Sequence, residues 1–144
     1  MPAVLSAVKA LIVQDDHFLF LKQSVLGEEF WDLPGGRIEF GESPYNTLLR
    51  EVKEETTLSI EIVRPVGLWW FFRKIDGDQV ICSTFLCSIQ KGDVRLDLNP
   101  TQESISQAEW IPTSRIVDGT FDSGYESLRQ LLERYLMNKN VVHI

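Results

Sequence analysis

Apolar residues along most of the chain alternate with polar ones or gather in short runs, and two stretches change to a helical spacing. Residues 4–14 (VLSAVKALIVQ) and 17–23 (HFLFLKQ) are β-rich and flank Asp15-Asp16, which predicts a hairpin. On its second strand Phe18, Phe20 and Lys22 share a face. A loop around Gly27 follows, then a short strand, Trp31-Asp32-Leu33, ending at Pro34-Gly35-Gly36. Paired glycines permit positive φ and let backbone approach a ligand closely. Residues 37–40 (RIEF) form a short extended piece. Ser43-Pro44 is a helix start, because the Ser hydroxyl accepts from an orphan N–H and Pro loses nothing at the first helical position. The helix runs to about Thr56, and at about 100° per residue Tyr45, Leu48, Leu49 and Val52 fall on one side, which is expected to face a core. Strands are predicted over 58–63 and 66–74, separated by Arg64-Pro65. In the second, Leu68, Trp70 and Phe72 point one way and Trp69, Phe71 and Arg73 the other. Asp76-Gly77 marks a hairpin turn into a strand over 79–90, and Gly92 a loop. Ser123 to Glu126 reads as a capping box, and Leu128, Leu131, Leu132, Tyr135 and Leu136 as the core stripe of a last helix. Strands on either side of a central helix, with another helix at the end, give an α/β fold: a mixed β-sheet sandwiched between α-helices. There is no internal repeat or low-complexity segment.

The central helix carries the chemistry. Glu51, Glu54 and Glu55 lie at i, i+3 and i+4, so their carboxylates gather on one face, about 120° from the apolar one. Like charges one turn apart repel and raise one another's pKa, so a positive partner is expected there. Clustered carboxylates suit a hard divalent cation, and Mg²⁺ or Mn²⁺ typically binds one or two of them together with waters and phosphates. Arg50 on the flank can pair with Glu42 or another acid. The plainer alternative is a solvated acidic helix face. Its weight is cut by the spacing: average residue frequencies put the chance of Gly36, Glu42, Arg50, Glu51, Val52, Glu54 and Glu55 falling in register at roughly one in a million.

The stretch Gly36 to Leu58 resembles the Nudix box, G-x5-E-x7-R-E-U-x-E-E-x-G-U with U a bulky aliphatic residue. Trp31 to Gly35 is similar to the strand and turn that commonly lead into it. One position departs: Thr57 stands where the box has its last Gly, so the helix either ends another way or carries about 1 kcal/mol of strain. The resemblance implies the Nudix fold and hydrolysis of a phosphoanhydride in a nucleoside diphosphate linked to another group, such as a modified nucleoside triphosphate. It implies Mg²⁺ or Mn²⁺ on Glu51, Glu54 and Glu55 with the Gly35 carbonyl, and Arg50 and Glu42 orienting the carboxylates. The segment 102–112 looks like the late acidic loop and strand of that family, which makes Glu103 the candidate for a further carboxylate, ahead of Glu109 and Asp97. Either Glu54 or Glu103 then accepts the proton. Related proteins often carry a phosphate-binding cation near Lys22, whose alternative is a strand end reaching solvent. Arg37 is a second phosphate candidate, and Trp69 or Trp70 can stack on a base at about 1–3 kcal/mol or else pack in the core. A Nudix-fold sensor that binds a nucleotide without cleaving it, and a plain interaction protein, are the competing classes. A homodimer is expected only by analogy.

Composition narrows the setting. A chain of 144 residues with 44% hydrophobic and 24% charged positions is expected to be one globular domain over 1–144. Its longest apolar runs fall short of a spanning helix and no signal-peptide pattern opens it, so a soluble, cytoplasmic protein without membrane partners is expected. A net charge of −7 disfavours long nucleic acid but leaves room for a small anionic substrate held through a cation. Cys82 and Cys87, five apart in one strand, point to opposite faces and are expected as free thiols, one buried and one not. His17 and His143 read as a strand-edge and a near-terminal residue without a catalytic role.

Overall fold

The computed structural model describes residues 1–97 and 105–138. Among these, β1 (Val4–Gln14) and β2 (His17–Val25) form the hairpin around the Asp15-Asp16 turn. They are followed by β3 (Glu28–Asp32), β4 (Gly35–Arg37), α1 (Pro44–Thr56), β5 (Ser59–Phe72), β6 (Gln79–Lys91), β7 (Ile105–Pro112), α2 (Thr113–Val117) and α3 (Glu126–Asn138). The sheet runs β3-β2-β1-β6-β5, with β4 added to β1 and β7 to β2. It is mixed: β1 and β6 run parallel from Val4↔Gln79 to Ile12↔Cys87, while the other ladders are antiparallel.

The other edge of β1 is divided. Its far end meets β2 only at Val13↔Phe18 and Gln14↔His17, whereas its middle, Ala7 to Lys9, pairs with β4 from Arg37 back to Gly35. A cleft opens where the sheet splits, between β3 on one side and β4 on the other, and the site is built there.

Cores lie on both faces. Ala7, Leu11, Phe20, Trp69, Leu128 and Leu132 belong to the one beneath α3, and Val8, Ile12, Leu48, Val52, Ile60 and Phe85 to the one beneath α1. No helix among the described residues is long and apolar enough to cross a membrane.

Several expectations shift. The buried stripe of α1 is Leu48, Val52, Glu55 and Thr56, at i, i+4, i+7 and i+8, so Glu55 goes inside while Tyr45 and Leu49 stay exposed. Tyr45 packs its ring edge against Phe85, 5.5 Å between centroids. Residues 59–72 are one strand rather than two. The register slips at Ile62/Arg64 and at Pro65/Gly67, and an edge strand tolerates Pro at such bulges because no inner ladder needs its N–H. β3 begins at Glu28, absorbing half of the expected loop. α3 opens at Glu126, since Gly124 is left-handed at φ 87° and cannot belong to it. Cys82 and Cys87 do face opposite cores, yet both are buried, and burial pushes each thiol up to about 12. His17 Nδ1 donates to the Asp15 carbonyl oxygen, 2.6 Å away, and His143 lies outside the described residues.

Candidate active site

α1 is pinned at both ends. Ser43 Oγ accepts from the Asn46 N–H at 3.1 Å, and Pro44 fills the first helical position. At the far end Thr57 adopts φ 68° and donates its N–H to the Lys53 carbonyl, so this β-branched residue carries the left-handed cap itself. Its hydroxyl donates to the Asp93 carbonyl at 2.6 Å, which offsets part of the strain.

Arg50 is the hub of the acidic face. Its Nε and Nη2 donate to the two oxygens of Glu42 at 3.0 and 2.9 Å, a bidentate pair, while Nη1 reaches Glu51 at 3.2 Å and Glu54 at 3.3 Å. Glu42 also accepts from the Thr47 hydroxyl and the Glu39 N–H. The Arg50 hydrogen bond, with those two donors, holds the Glu42 carboxyl below the usual range. Hydrogen bonding to Glu42, helped by Glu54 and Glu51, holds the Arg50 guanidinium above its own. The positive group expected among these acids is thus an arginine already in place.

Glu55 behaves differently. It is 1% exposed and accepts from the Gly35 N–H at 2.8 Å, fastening α1 to β4. Of the two glycines of β4, Gly35 is the obligatory one, because its clash would be with backbone, whereas Gly36 would meet the end of a side chain. At φ 143° a Cβ on Gly35 would stand 2.1 Å from the Val8 carbonyl oxygen, and one on Gly36 2.5 Å from the Glu51 carboxyl carbon. The Glu51 carboxylate therefore rests directly against bare backbone.

Gly35, Gly36, Glu51 and Glu55 line one wall of a cavity of about 610 Å³, while Arg50, Glu42 and Glu54 stand behind it. Glu51, Glu55, Gly36 and Arg37 stand at one end, and Phe30, Phe71 and Tyr125 at the other. Between them lies a buried ion pair, Lys9 Nζ to Asp32 Oδ2 at 2.9 Å, each residue 5% exposed. Asp32 Oδ1 accepts from the Leu33 N–H at 2.7 Å, and Lys9 also reaches the Leu33 carbonyl at 3.4 Å. Burial opposes the Lys9 charge, but Asp32 beside it, with Glu55 nearby, holds the ammonium above its ordinary pKa. Sequence reasoning passed over this pair. Its signal is a lysine in the middle of the apolar run of β1.

Of the other expected site residues, Arg37 lies on the cavity wall. Lys22 does not. Its Nζ is 3.3 Å from Glu29 and 5.6 Å over the Trp31 ring, on the far side of β3 from the acids. Trp69 is fully buried, donates its indole N–H to the Thr84 hydroxyl at 3.0 Å and stacks on Phe71, so its ring has no open face for a base. Trp70 is half exposed on the opposite face of β5, away from the cavity. Glu103 lies outside the described residues. Glu109 is exposed on β7, and Asp97 is paired with Arg95.

Carboxylate oxygens at Glu51 and Glu54 are the right donors for a hard divalent ion, and Glu51 lines the cavity wall beside Gly36. Among the described residues no three acid, histidine or cysteine side chains form a ready cage, since Arg50 Nη1 stands between these two. The donor set fits the ion in kind.

Comparison with known proteins agrees with this architecture. The sequence model of the NUDIX domain matches residues 4–135. The chain belongs to the Nudix family. The putative nudix hydrolase 1 of Caenorhabditis elegans is 37% identical over 89 residues, covering 62% of this chain and 22% of that protein. Nudix hydrolase 2 of Arabidopsis thaliana is 26% identical over 125 residues, 87% of this chain and 42% of its own length. This Nudix chain thus spans less than half the length of either relative. The crystal structure of a MutT protein from Methanosarcina mazei Go1 superposes with a TM-score of 0.81 at 24% identity, over 96% of this chain and 97% of that one, and so shares its fold.

Proposed function

We propose that this Nudix chain is a divalent-metal-dependent pyrophosphohydrolase that cleaves a phosphoanhydride in a nucleoside diphosphate linked to another group. The observation that carries the reading is the bridging of Glu51 and Glu54 by Arg50, with Glu51 set on the cavity wall against the bare backbone of Gly36. Glu51 and Glu54 would hold Mg²⁺ or Mn²⁺, with Glu55 and the Gly35 carbonyl completing the set. The ion supplies neutralisation of the diphosphate and acidifies the attacking water.

The remaining work falls to the chain itself. The two-bond pair from Arg50 to Glu42 fixes the guanidinium, so that the longer Nη1 contacts to Glu51 and Glu54 could give way to an ion while the Glu42 pair stays. Arg37, at the same end of the cavity as the acids, neutralises a phosphate. Glu54, the more exposed of the two acids that Arg50 Nη1 bridges, or Glu103 takes the proton from water. The substrate is a small nucleotide, since Arg37 and the acids of α1 share the cavity with the rings of Phe30, Phe71 and Tyr125.

A panel of nucleoside diphosphate derivatives with Mg²⁺ or Mn²⁺, scored for released phosphate, pyrophosphate and monophosphate, tests this reading. The expected result is cation-dependent release from at least one of them, lowered by about three powers of ten or more in Glu54→Gln with the urea midpoint unchanged. No cation-dependent release from any member would overturn the enzymatic reading, and normal turnover by Glu54→Gln would overturn the role of that residue.

A further inference from the structure

A buried ion pair is poor value as structure. Taking both charges out of water costs several kcal/mol each, and well-packed apolar residues of similar volume usually serve as well or better. Lys9 and Asp32 are such a pair, on strands whose neighbouring positions are filled by Ala7, Leu11 and Leu33. No ladder bond requires their charges, because the Leu33 N–H that Asp32 accepts is a bond an amide would satisfy equally. What distinguishes the pair is its place. It faces the cavity between the acids of α1 and a cluster of Phe30, Phe71 and Tyr125, in which the Tyr125 ring stands 4.9 Å from that of Phe71 and 6.4 Å from that of Phe30. A flat ring can lie on such a cluster with its edge towards the pair, a buried ammonium and a buried carboxylate 2.9 Å apart.

We infer that Lys9 and Asp32 form a base-reading subsite that binds the lactam edge of a guanine- or uracil-type nucleobase. The inference rests on the phosphoanhydride reading for the placement of the phosphate chain at the acidic end. In a lactam a carbonyl oxygen lies beside a ring N–H at a spacing close to that of the pair. Lys9 donates to the carbonyl and Asp32 accepts the N–H, so both bonds are charge-assisted. Adenine and cytosine also present an acceptor beside a donor, but their donor is an amino group, far less acidic than a lactam N–H, and its bond to a carboxylate is weaker. The ion pair persists when the base binds, because each partner has lone pairs or protons beyond the one bond it makes to the other.

Calorimetric binding in Mg²⁺ of the four uncleavable α,β-methylene diphosphates, those of guanosine, uridine, adenosine and cytidine, tests this, with inorganic pyrophosphate as a fifth ligand. Guanosine or uridine should bind about tenfold or more tighter than adenosine and cytidine, and in Lys9→Met/Asp32→Asn, which removes both charges together, the ratio should fall below about twofold. Equal affinity for all four in the unaltered protein overturns the inference without recourse to any variant. So does a double variant that keeps the original ratio but loses pyrophosphate affinity, since the pair would then serve the phosphates. Binding of pyrophosphate and of no nucleotide overturns the inference and leaves the phosphoanhydride reading standing; binding of neither removes both.

Discussion

Arg50 makes five hydrogen bonds to three glutamates, and their inequality sets its behaviour. The bidentate pair to Glu42 is the strong one, being short and shared with Thr47 and the Glu39 N–H, while Nη1 alone serves Glu51 and both oxygens of Glu54 at longer distances. Because the hydrogen bond from Arg50 depresses the folded-state pKa of Glu42 below its ordinary 4.5, the stability this residue adds is fully present above that value. It is lost as pH falls through the lower, folded-state value. Urea midpoints followed from about pH 6 to about pH 3 should therefore decline more steeply in the native chain than in Glu42→Gln, the difference opening only below pH 4.5. Parallel curves would mean that Arg50 does not hold Glu42 in solution. These four residues were legible in the sequence because a helix brings i, i+3 and i+4 together and a short loop returns Glu42 to its start. Lys9, Asp32 and Tyr125 were not, since they meet only after β1, β3 and the approach to α3 have found their places in three dimensions. Trp69 was left open between base and core for a related reason: alternation tells which residues share a face but not which face α3 covers.

At the scale of elements, β5 is the exposed risk of this fold, an edge strand fourteen residues long that carries Leu68, Trp70 and Phe72 on its open face. Two features protect it. The bulges around Arg64-Pro65 interrupt the straight run, and Ser127 at the start of α3 brackets Trp70, its hydroxyl accepting the strand N–H at 3.0 Å and donating to the strand carbonyl at 2.7 Å. One side chain thereby occupies the two backbone groups that a foreign strand would need. Ser127→Ala should lower the unfolding free energy by about 1–3 kcal/mol and speed hydrogen exchange at the Trp70 amide by about tenfold or more, with amides on the β6-facing side of β5 little changed. Uniform acceleration along β5 would instead show that the strand opens as one unit and that the bracket is incidental. The Pro that protects the strand also concealed its continuity from sequence, because a residue without an N–H looks like an ending wherever the partner strand is unknown. Hairpins with Asp-rich turns and the Ser-Pro helix start were readable, their causes lying within a few neighbouring residues.

For the whole molecule the decisive quantity is a net charge of −7, part of it concentrated at one end of one cavity. Any cation should stabilise such a chain somewhat by screening, so a gain in melting temperature with Mg²⁺ does not by itself identify a site. Specific binding has a different form: an ion that binds only the folded state adds about 2.7 kcal/mol at a hundred times its dissociation constant, which for a domain of this size is several degrees and grows with the logarithm of concentration. Screening is common to all salts of equal ionic strength. The comparison that separates the two is a titration of MgCl₂ against KCl at matched ionic strength, in the native chain and in Glu51→Gln/Glu54→Gln. The native chain should gain several degrees more from Mg²⁺ than from K⁺, and the double variant should lose that excess while starting no less stable without Mg²⁺, since two partly repelling carboxylates are gone and Arg50 keeps its bidentate pair with Glu42. If the excess survives in the variant, the ion binds elsewhere, and the acids around Arg50 are an ion-pair network fastening the loop at Glu42 to α1.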